Sequence, residues 1–185
     1  MTNRREQLER VPRAITPIAI PLHDGATLRT IADLDAQVPF DADGSGRTIR
    51  WTWISADAGW LVYDPGRRGV ITSALEWFGN VTFWLFWNNG YEALRALDDN
   101  HDGELTGREL RHLSLWRDGD GDGVSDPGEV RPLAAEGIVA LSCRFTRADG
   151  LLAAAQSQNG VRFADGRTRP TYDIILRPAW SVSVP

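Results

Sequence analysis

Apolar and polar residues alternate in the first half of the chain in the way that a half-buried β-strand requires. Ile49, Trp51 and Trp53 occupy every second position between polar neighbours, so their side chains share one face of an extended segment. After a turn, residues 60–63 are apolar enough to form a second strand. The pattern predicts that the two strands pair as a hairpin.

Strands are also predicted towards the end of the chain. Every second residue of the segment 139–145 is apolar: Val139, Leu141, Cys143 and Phe145. Residues 160–163 and 171–176 are further short strands on either side of a turn. Cys143 is the single cysteine, so no intrachain disulfide forms, and its place in the alternation favours a buried apolar role over that of a nucleophile.

Between these strands, apolar residues recur at helical spacing. One helix is predicted over 88–97 and a second over 109–116, and their apolar faces are Tyr91, Leu94 and Leu97 in the first and Leu110, Leu113 and Trp116 in the second. Proline is tolerated in the first turn of a helix, so Ser125, Asp126 and Pro127 predict the start of a third, short helix.

Acidic residues fill the loops between these predicted helices with the spacing of the EF-hand calcium loop. In a twelve-residue loop of this kind, oxygen ligands come from positions 1, 3, 5, 7, 9 and 12, and glycine at position 6 makes the sharp turn. The first loop supplies Asp98, Asn100, Asp102, Glu104, Thr106 and Glu109, and the second supplies Asp118, Asp120, Asp122, Val124, Asp126 and Glu129. Glu104 and Val124, at position 7, would contribute their backbone carbonyls.

The expected fold class is therefore α+β. A compact EF-hand pair (helix-loop-helix-loop-helix) over residues 90–136 would pack on short antiparallel β-strands and hairpins that precede and follow it. Residues 1–25 carry charge and proline without a clear period and are predicted to be an N-terminal tail or arm. Residues 26–185 are predicted to form a single calcium-binding domain, in keeping with a chain of 185 residues.

Two further acidic turns resemble incomplete loops. Asp41, Asp43 and Ser45 fit positions 1, 3 and 5, but Thr52 stands where the bidentate glutamate belongs, so this is a weaker metal candidate and the alternative is a turn that leads into a strand. In residues 64–76, Arg68 replaces an acidic ligand. That loop is predicted to keep its turn and lose its ion.

Charge and composition exclude several classes of function. The chain carries a net charge of −5, whereas residues 98–129 alone carry −7, so the acidity belongs to the predicted metal loops. No basic patch indicates nucleic acid, and no apolar run approaches the roughly 20 residues of a membrane span. The chain contains no lysine, and none of its histidines forms a triad or a zinc spacing. The protein is predicted not to be an enzyme.

Residues 77–87 form the most aromatic segment of the chain. A buried core segment is one interpretation, because aromatic and β-branched residues are enriched in strands. A surface that binds a protein partner is the other, because Trp and Phe also dominate interfaces. The sequence leaves both open.

The order of these acidic turns resembles the bacterial EF-hand modules of large secreted, calcium-dependent proteins of the haemolysin and adhesin type. The resemblance is most specific in the segment LWRDGDGDGVSDPGE. It implies a calcium-loaded module without catalysis, with Thr106 reaching its ion through water, and it implies an extracellular setting. The N-terminus shows no signal-peptide pattern, so cytoplasmic or non-classically secreted locations stay open.

The function expected from the sequence is the binding of two calcium ions, with a third candidate at Asp41, that orders a non-enzymatic module. The alternative is a calcium-dependent protein-protein interaction module, similar to a dockerin or a sensor, that uses residues 77–87. The oligomeric state and the identity of a protein partner are not predicted.

Overall fold

The computed structural model describes residues 14–148 and 150–178, and most of its regular structure is β-strand. Strands hold 39% of the residues and helices 15%, a proportion that places the fold among the β-rich classes. The strands are β1 (Ile18–Pro21), β2 (Ala32–Phe40), β3 (Ile49–Ile54), β4 (Ala58–Tyr63), β5 (Glu104–Thr106), β6 (Leu113–Trp116), β7 (Val130–Pro132), β8 (Ile138–Ser142), β9 (Thr146–Arg147), β10 (Ala153–Phe163) and β11 (Thr168–Ile174).

Helical structure is short throughout the described ranges. The two α-helices are α1 (Leu28–Ile31) and α2 (Gly90–Arg95), and the 3₁₀ helices are Ala74–Glu76, Thr82–Trp84, Gly107–Leu110 and Leu133–Glu136. Within the same ranges, no helix has the length and apolar character needed to cross a membrane.

Nine strands form one antiparallel sheet that curls into a half-barrel. Its order is β5-β8-β10-β11-β1-β4-β6-β7, and β9 pairs with β10 beside this path. Strands β2 and β3 form a separate two-stranded sheet. The neighbours in the large sheet are mostly distant in sequence, so the sheet is held together by long-range pairing.

Both faces of the large sheet are buried, and alternate residues of its central strands pack into two different clusters. In β4, Trp60 and Val62 face the first cluster, whereas Leu61 faces the second. The first cluster is aromatic and lies between the large sheet and the β2-β3 pair. The second packs α2 against the opposite face through Tyr91 and Leu94. This is the period-two geometry of strands that are covered on both sides.

Tryptophan rings form the centre of the first cluster. Trp53, Trp60, Trp77 and Trp116 are each at most 1% exposed. The Trp60 and Trp77 rings stack with 5.0 Å between their centroids, and Phe40 stacks on Trp77 at 4.5 Å. Such side chains bury more apolar area than any others, so this cluster dominates the packing between the two sheets.

The predicted α+β fold class, with its helix-loop-helix-loop-helix pair, is wrong, because the structure is mostly β-strand. Residues 109–116, predicted to be the linking helix, instead end a 3₁₀ turn and then form β6, which pairs with β4 and places Trp116 opposite Trp60. All four residues of β6 are buried. Apolar residues at 113, 115 and 116 satisfy a two-sided strand as well as a helix face, and the long-range pairing with β4 decides between them.

The helices predicted on either side also differ from the structure. The first is confined to α2, which begins after Asn89, whose side chain accepts the amide hydrogens of Tyr91 and Glu92. The short helix predicted after Pro127 is replaced by a turn that leads into β7. The fold is thus a curled antiparallel sheet that carries acidic loops.

The predicted hairpin of residues 49–53 and 60–63 is wrong as well. Strand β3 pairs with β2, and β4 pairs with β1 and β6. Trp53 and Trp60 contact each other edge to face at 5.4 Å, because the two strands belong to sheets that pack face to face. Strand β8 ends at Ser142, and its Val139 is 38% exposed. Cys143, which follows the strand, is buried as predicted.

The N-terminal segment contributes to the sheet. Residues 1–13 of the predicted tail lie outside the described residues, but Ile18–Pro21 form β1 between β4 and β11, in the interior of the sheet. Ile18 and Ile20 are each 1% exposed. The prolines that suggested an irregular arm are compatible with this short strand, whose Pro21 stands at its end.

A buried carboxyl group fixes α2 against the sheet. Asp173 in β11 has no solvent exposure, and its Oδ1 accepts the amide hydrogen of Gly90 at 3.1 Å. Burial raises the pKa of Asp173 well above its usual range. The phenol of Tyr91 donates to the Thr171 carbonyl oxygen at 2.8 Å in the same strand. The helix that precedes the first acidic loop is therefore held at a defined position.

We expect Asp173→Asn to stabilise the protein increasingly as pH rises from about 4 to 7. The folded state retains the proton of Asp173 at a pH where the unfolded chain has released it, so this group lowers the free energy of unfolding as pH increases. Urea unfolding of both proteins across this range tests the expectation. A difference in unfolding free energy that is independent of pH would show that Asp173 does not hold its proton.

Gly90 is expected to tolerate no larger side chain. An added Cβ would lie 2.5 Å from the Phe78 carbonyl oxygen and 2.7 Å from Ile18 Cγ1. Gly90→Ala should therefore lower the free energy of unfolding by about 1–3 kcal/mol, the usual cost of overpacking. The matched control is Gly25→Ala, whose Cβ would meet its nearest neighbour at 3.5 Å and should change stability by less than about 0.5 kcal/mol.

Candidate functional site

The first acidic loop runs from the end of α2, through β5, to the 3₁₀ turn Gly107–Leu110. Asp98 is buried, and its two carboxylate oxygens accept the amide hydrogens of Asp102 at 3.2 Å and Gly103 at 3.0 Å. Gly103 has a φ of 89°, which a residue with a side chain rarely adopts. The predicted turn at position 6 is therefore present, and it folds the chain around the Asp98 carboxylate.

Three other predicted ligands of this loop, Asn100, Asp102 and Glu109, accept amide hydrogens within it, although among the described residues its carboxylates do not gather into a group of three. Asn100 Oδ1 accepts the Asp102 amide hydrogen at 3.0 Å, and Asp102 Oδ1 accepts that of Glu104 at 2.8 Å. Glu109 reaches back to the start of the loop, where its Oε1 accepts the Asp99 amide hydrogen at 3.0 Å. Its Oε2 accepts that of Thr106 at 2.8 Å, so position 12 closes the loop over position 1.

The second loop connects β6 to β7 and is attached directly to the tryptophan cluster. Asp118 is 4% exposed, and its Oδ2 accepts both the Trp53 indole hydrogen at 2.7 Å and the Gly123 amide hydrogen at 3.1 Å. Burial raises the pKa of Asp118, whereas the hydrogen bonds from Gly123 and Trp53 lower it. The carboxylate is thus removed from water and held by donors on one side.

Glu129 closes this loop as Glu109 closes the first. Its Oε1 accepts the Gly119 amide hydrogen at 2.8 Å, and its Oε2 accepts the Trp116 indole hydrogen at 3.2 Å. Asp118, Asp120 and Glu129 can each place one carboxylate oxygen within 4.8 Å of the others. Hard divalent cations prefer oxygen donors gathered in this way, so the residues present fit a calcium ion.

The remaining predicted ligands of the second loop lie on the same turn. Asp122 Oδ1 accepts the amide hydrogen of Val124 at 2.7 Å, and the amide of Asp126 donates to Glu129 at 3.1 Å. Val124 itself is 56% exposed, which leaves its side chain outside the turn. Of the predicted ligands of this loop, the structure gathers Asp118, Asp120 and Glu129, whereas the carboxylates of Asp122 and Asp126 are not part of that group.

The weaker candidate at Asp41 has the turn without the closing glutamate. Asp41 Oδ2 accepts the Gly46 amide hydrogen at 2.8 Å, and Asp43 Oδ1 accepts that of Ser45 at 3.0 Å. Thr52, at the twelfth position, lies within β3, and its hydroxyl accepts the amide hydrogen of Arg177. This loop therefore contains an acidic turn that leads into a strand, and its closing position is engaged elsewhere.

The loop after Asp64 also keeps its turn. Asp64 Oδ2 accepts the Gly69 amide hydrogen at 3.0 Å, as the first aspartate does in the other three loops. Arg68 forms an ion pair with Glu76, whose Oε2 also accepts the Thr72 amide hydrogen at 2.7 Å. A guanidinium group thus supplies positive charge within this loop.

Two tryptophans at the second loop could not be identified from local sequence. Trp53 is 65 positions before Asp118, and no spacing rule connects them. Trp116 lies two residues before Asp118, but its apolar character suggested only a core role. The aromatic segment 77–87 is part core and part surface. Trp77 and Phe78 are buried, whereas Trp84, Leu85 and Phe86 are 70%, 53% and 83% exposed.

Comparison with known proteins identifies the family. The model of the SPM domain matches residues 22–177. The iron-regulated protein FrpA of Neisseria meningitidis serogroup C is 31% identical over 169 residues, which cover 86% of this chain. The chain spans 15% of the length of FrpA.

These findings correct the family suggested by the sequence. The match covers both acidic loops and most of the sheet, and the loops lie between strands and short 3₁₀ turns, without the paired helices of an EF-hand. The expected membership in the EF-hand modules of haemolysin-like and adhesin proteins is therefore wrong. The chain belongs to the SPM domain family.

Proposed function

We propose that this chain is a calcium-binding, non-enzymatic module in which residues 98–109 and 118–129 each hold one Ca²⁺. The observation that carries the proposal is the convergence of the Asp118, Asp120 and Glu129 carboxylates within 4.8 Å. The same order of oxygen donors recurs from Asp98 to Glu109. Among the described residues, no arginine forms an ion pair with a carboxylate at position 1, 3, 5 or 12 of either loop.

Charge explains why an ion would stabilise these loops. Five carboxylates lie between residues 118 and 129, and their mutual repulsion opposes closure of the loop. A divalent cation among them converts repulsion into attraction. Because the ion binds the closed loop better than the open one, it adds to the stability of the folded state by mass action, by about 2.7 kcal/mol at a concentration 100 times the dissociation constant.

The second loop would transmit this stabilisation to the core. Its position 1 and position 12 carboxylates accept the indole hydrogens of Trp53 and Trp116, which belong to different sheets. The added Cβ of a residue at Gly123 would lie 2.7 Å from the Pro39 carbonyl oxygen, so the loop also packs against β2. Closing the loop would hold the β2-β3 pair on the large sheet.

Calorimetric titration of metal-stripped protein with Ca²⁺ is expected to show two sites, and tryptophan emission is expected to respond to the second loop. Asp118→Asn should weaken one site by at least about tenfold and remove the emission change. Asp98→Asn should weaken the other site and leave the emission change intact, because no tryptophan donates to that loop among the hydrogen bonds of the described residues.

The matched control is Asp35→Asn, which removes the same charge from an exposed position outside the loops. It should bind two ions with unchanged affinity. Absence of calcium binding by the unmodified protein, or equal weakening by Asp35→Asn and Asp118→Asn, would contradict the proposal.

A second candidate function is calcium-dependent binding of a protein partner through the surface formed by Trp84, Leu85 and Phe86. The exposure of these three neighbours supports it, because contiguous exposed apolar residues are uncommon on monomers and mark interaction sites. Phe83 and Trp84 both adopt positive φ values, 58° and 61°. A positive φ is strained in bulky residues, and such residues cluster at functional sites.

We expect Trp84→Ser to reduce the binding of an apolar dye by the folded protein without lowering the free energy of unfolding by more than about 0.5 kcal/mol, because the ring is mostly in water. Val70→Ser, at another exposed apolar position, is the control. Dye fluorescence measured with calcium and with chelator shows whether the surface depends on the ion. Equal dye binding by Trp84→Ser and the unmodified protein would contradict the use of this surface.

A further inference from the structure

An apolar groove lies where strands from the two ends of the nine-stranded sheet approach each other. Strand β8, next to the terminal strand β5, forms one side, and β6 with the end of β7 forms the other. The groove has a volume of about 530 Å³, which is within the range of protein ligand sites. Leu110, Leu113, Leu133, Ile138 and Val139 line it. Leu113, Leu133 and Ile138 are at most 2% exposed, so the exposed apolar surface comes mainly from Leu110 and Val139.

Three arginines line the same groove. Arg67 comes from the turn after Asp64, and Arg108 and Arg111 come from the 3₁₀ turn that ends the first acidic loop and the residue after it. No aspartate or glutamate lines the groove. In the part of the chain that the structure describes, none of these guanidinium groups has an ion-pair partner, whereas the nearby Arg117 and Arg131 both pair with Glu136.

This combination selects a ligand that is apolar and anionic together. An arginine fork binds a carboxylate through parallel hydrogen bonds, and three of them beside an apolar surface are complementary to an apolar side chain flanked by carboxylates. Positive charge on the lining residues would also steer an acidic partner to this face and oppose a basic one.

The openness of the groove identifies the class of ligand. Arg67, Arg108, Arg111, Ala134 and Val139 are all exposed, so the groove is a trough on the surface and not an enclosed cavity. An acyl chain would keep much of its surface in water there. A polypeptide needs to bury only one face, so a trough suits it.

We propose that the groove bordered by Arg67, Arg108 and Arg111 binds an acidic segment of a partner polypeptide, which inserts a large apolar side chain between the arginines. This site is distinct from the Trp84 surface, and it shares Arg108 with the first proposed calcium loop but none of that loop's oxygen ligands. It requires only the folded protein, and its failure would leave the calcium proposal unaffected.

Fluorescence anisotropy with defined peptides tests the proposal on the full chain in calcium-containing buffer. The probe is a labelled peptide with Leu and Phe between Asp and Glu residues. One comparison peptide replaces the acids by Lys and Arg, and another replaces Leu and Phe by Ser. We expect measurable binding of the acidic apolar peptide alone, weakened by added salt because the contacts are charged.

Substitution of the residues that line the groove then tests whether the peptide binds there. We expect the affinity for the peptide to fall by about 2- to 5-fold in each of the variants Arg67→Ala, Arg108→Ala and Arg111→Ala, which is the usual effect of losing one exposed ion pair. The triple variant should lower the affinity by roughly 10-fold or more. Val139→Glu should abolish binding, because it puts a carboxylate beside the arginines at an exposed position that leaves the core intact. The charge-matched control, Arg29→Ala, lies on the exposed part of α1 and should change nothing.

Several outcomes would overturn the proposal. Equal binding of the acidic and basic peptides, or equal effects of Arg29→Ala and Arg108→Ala, would show that the groove does not recognise the ligand. Sedimentation of the protein with phosphatidylglycerol vesicles in the absence of peptide binding would assign the groove to a lipid surface. A dimer in analytical ultracentrifugation that Arg108→Ala disrupts would assign it to a second copy of the chain.

Discussion

The hydrogen bond from the Trp53 indole to Asp118 attaches the second acidic loop to the aromatic core. It joins a β3 side chain in the aromatic cluster to the first residue of the second acidic loop, across 2.7 Å. An indole hydrogen buried without an acceptor would destabilise the core, and a buried carboxylate without donors would be costlier still. Each group satisfies the other, so displacement of the loop would disturb the packing of both sheets.

The alternation of β4 explains how one sheet supports both a core and a set of loops. Trp60 faces the aromatic cluster, whereas Leu61 faces the cluster that contains α2, so each strand end lies between two packed layers. The second acidic loop connects two strands of this sheet, β6 and β7, whereas the first follows α2 and runs through β5. The elements that precede the two loops, α2 and β6, are packed in the core, so they fix where each loop begins although the loop carboxylates repel one another.

The sequence predicted the turns of these loops correctly and the elements that flank them wrongly, for a physical reason. Loop geometry is local, because Asp98 and Asp118 each accept an amide hydrogen five residues later and glycine at that position is visible in the sequence. The flanking elements depend on distant partners. Residues 113–116 fit a helix face and a two-sided strand equally, and only pairing with β4, at least 50 residues earlier, selects the strand. The contact between Trp53 and Asp118 has no local signal at all.

Four loops share one turn, and their charge distinguishes them more than their shape. In each, the first aspartate accepts the amide hydrogen of a glycine with positive φ: Gly46, Gly69, Gly103 and Gly123. The turn after Asp64 keeps this hydrogen bond, and the Arg68 guanidinium group pairs with the Glu76 carboxylate. The positive charge in this loop is therefore supplied by the protein itself. Glu109 and Glu129 have only amide and indole donors and no such counter-charge among the hydrogen bonds and ion pairs of the described residues. In the proposed function, an external cation would supply to these two loops the positive charge that Arg68 already supplies to the loop after Asp64.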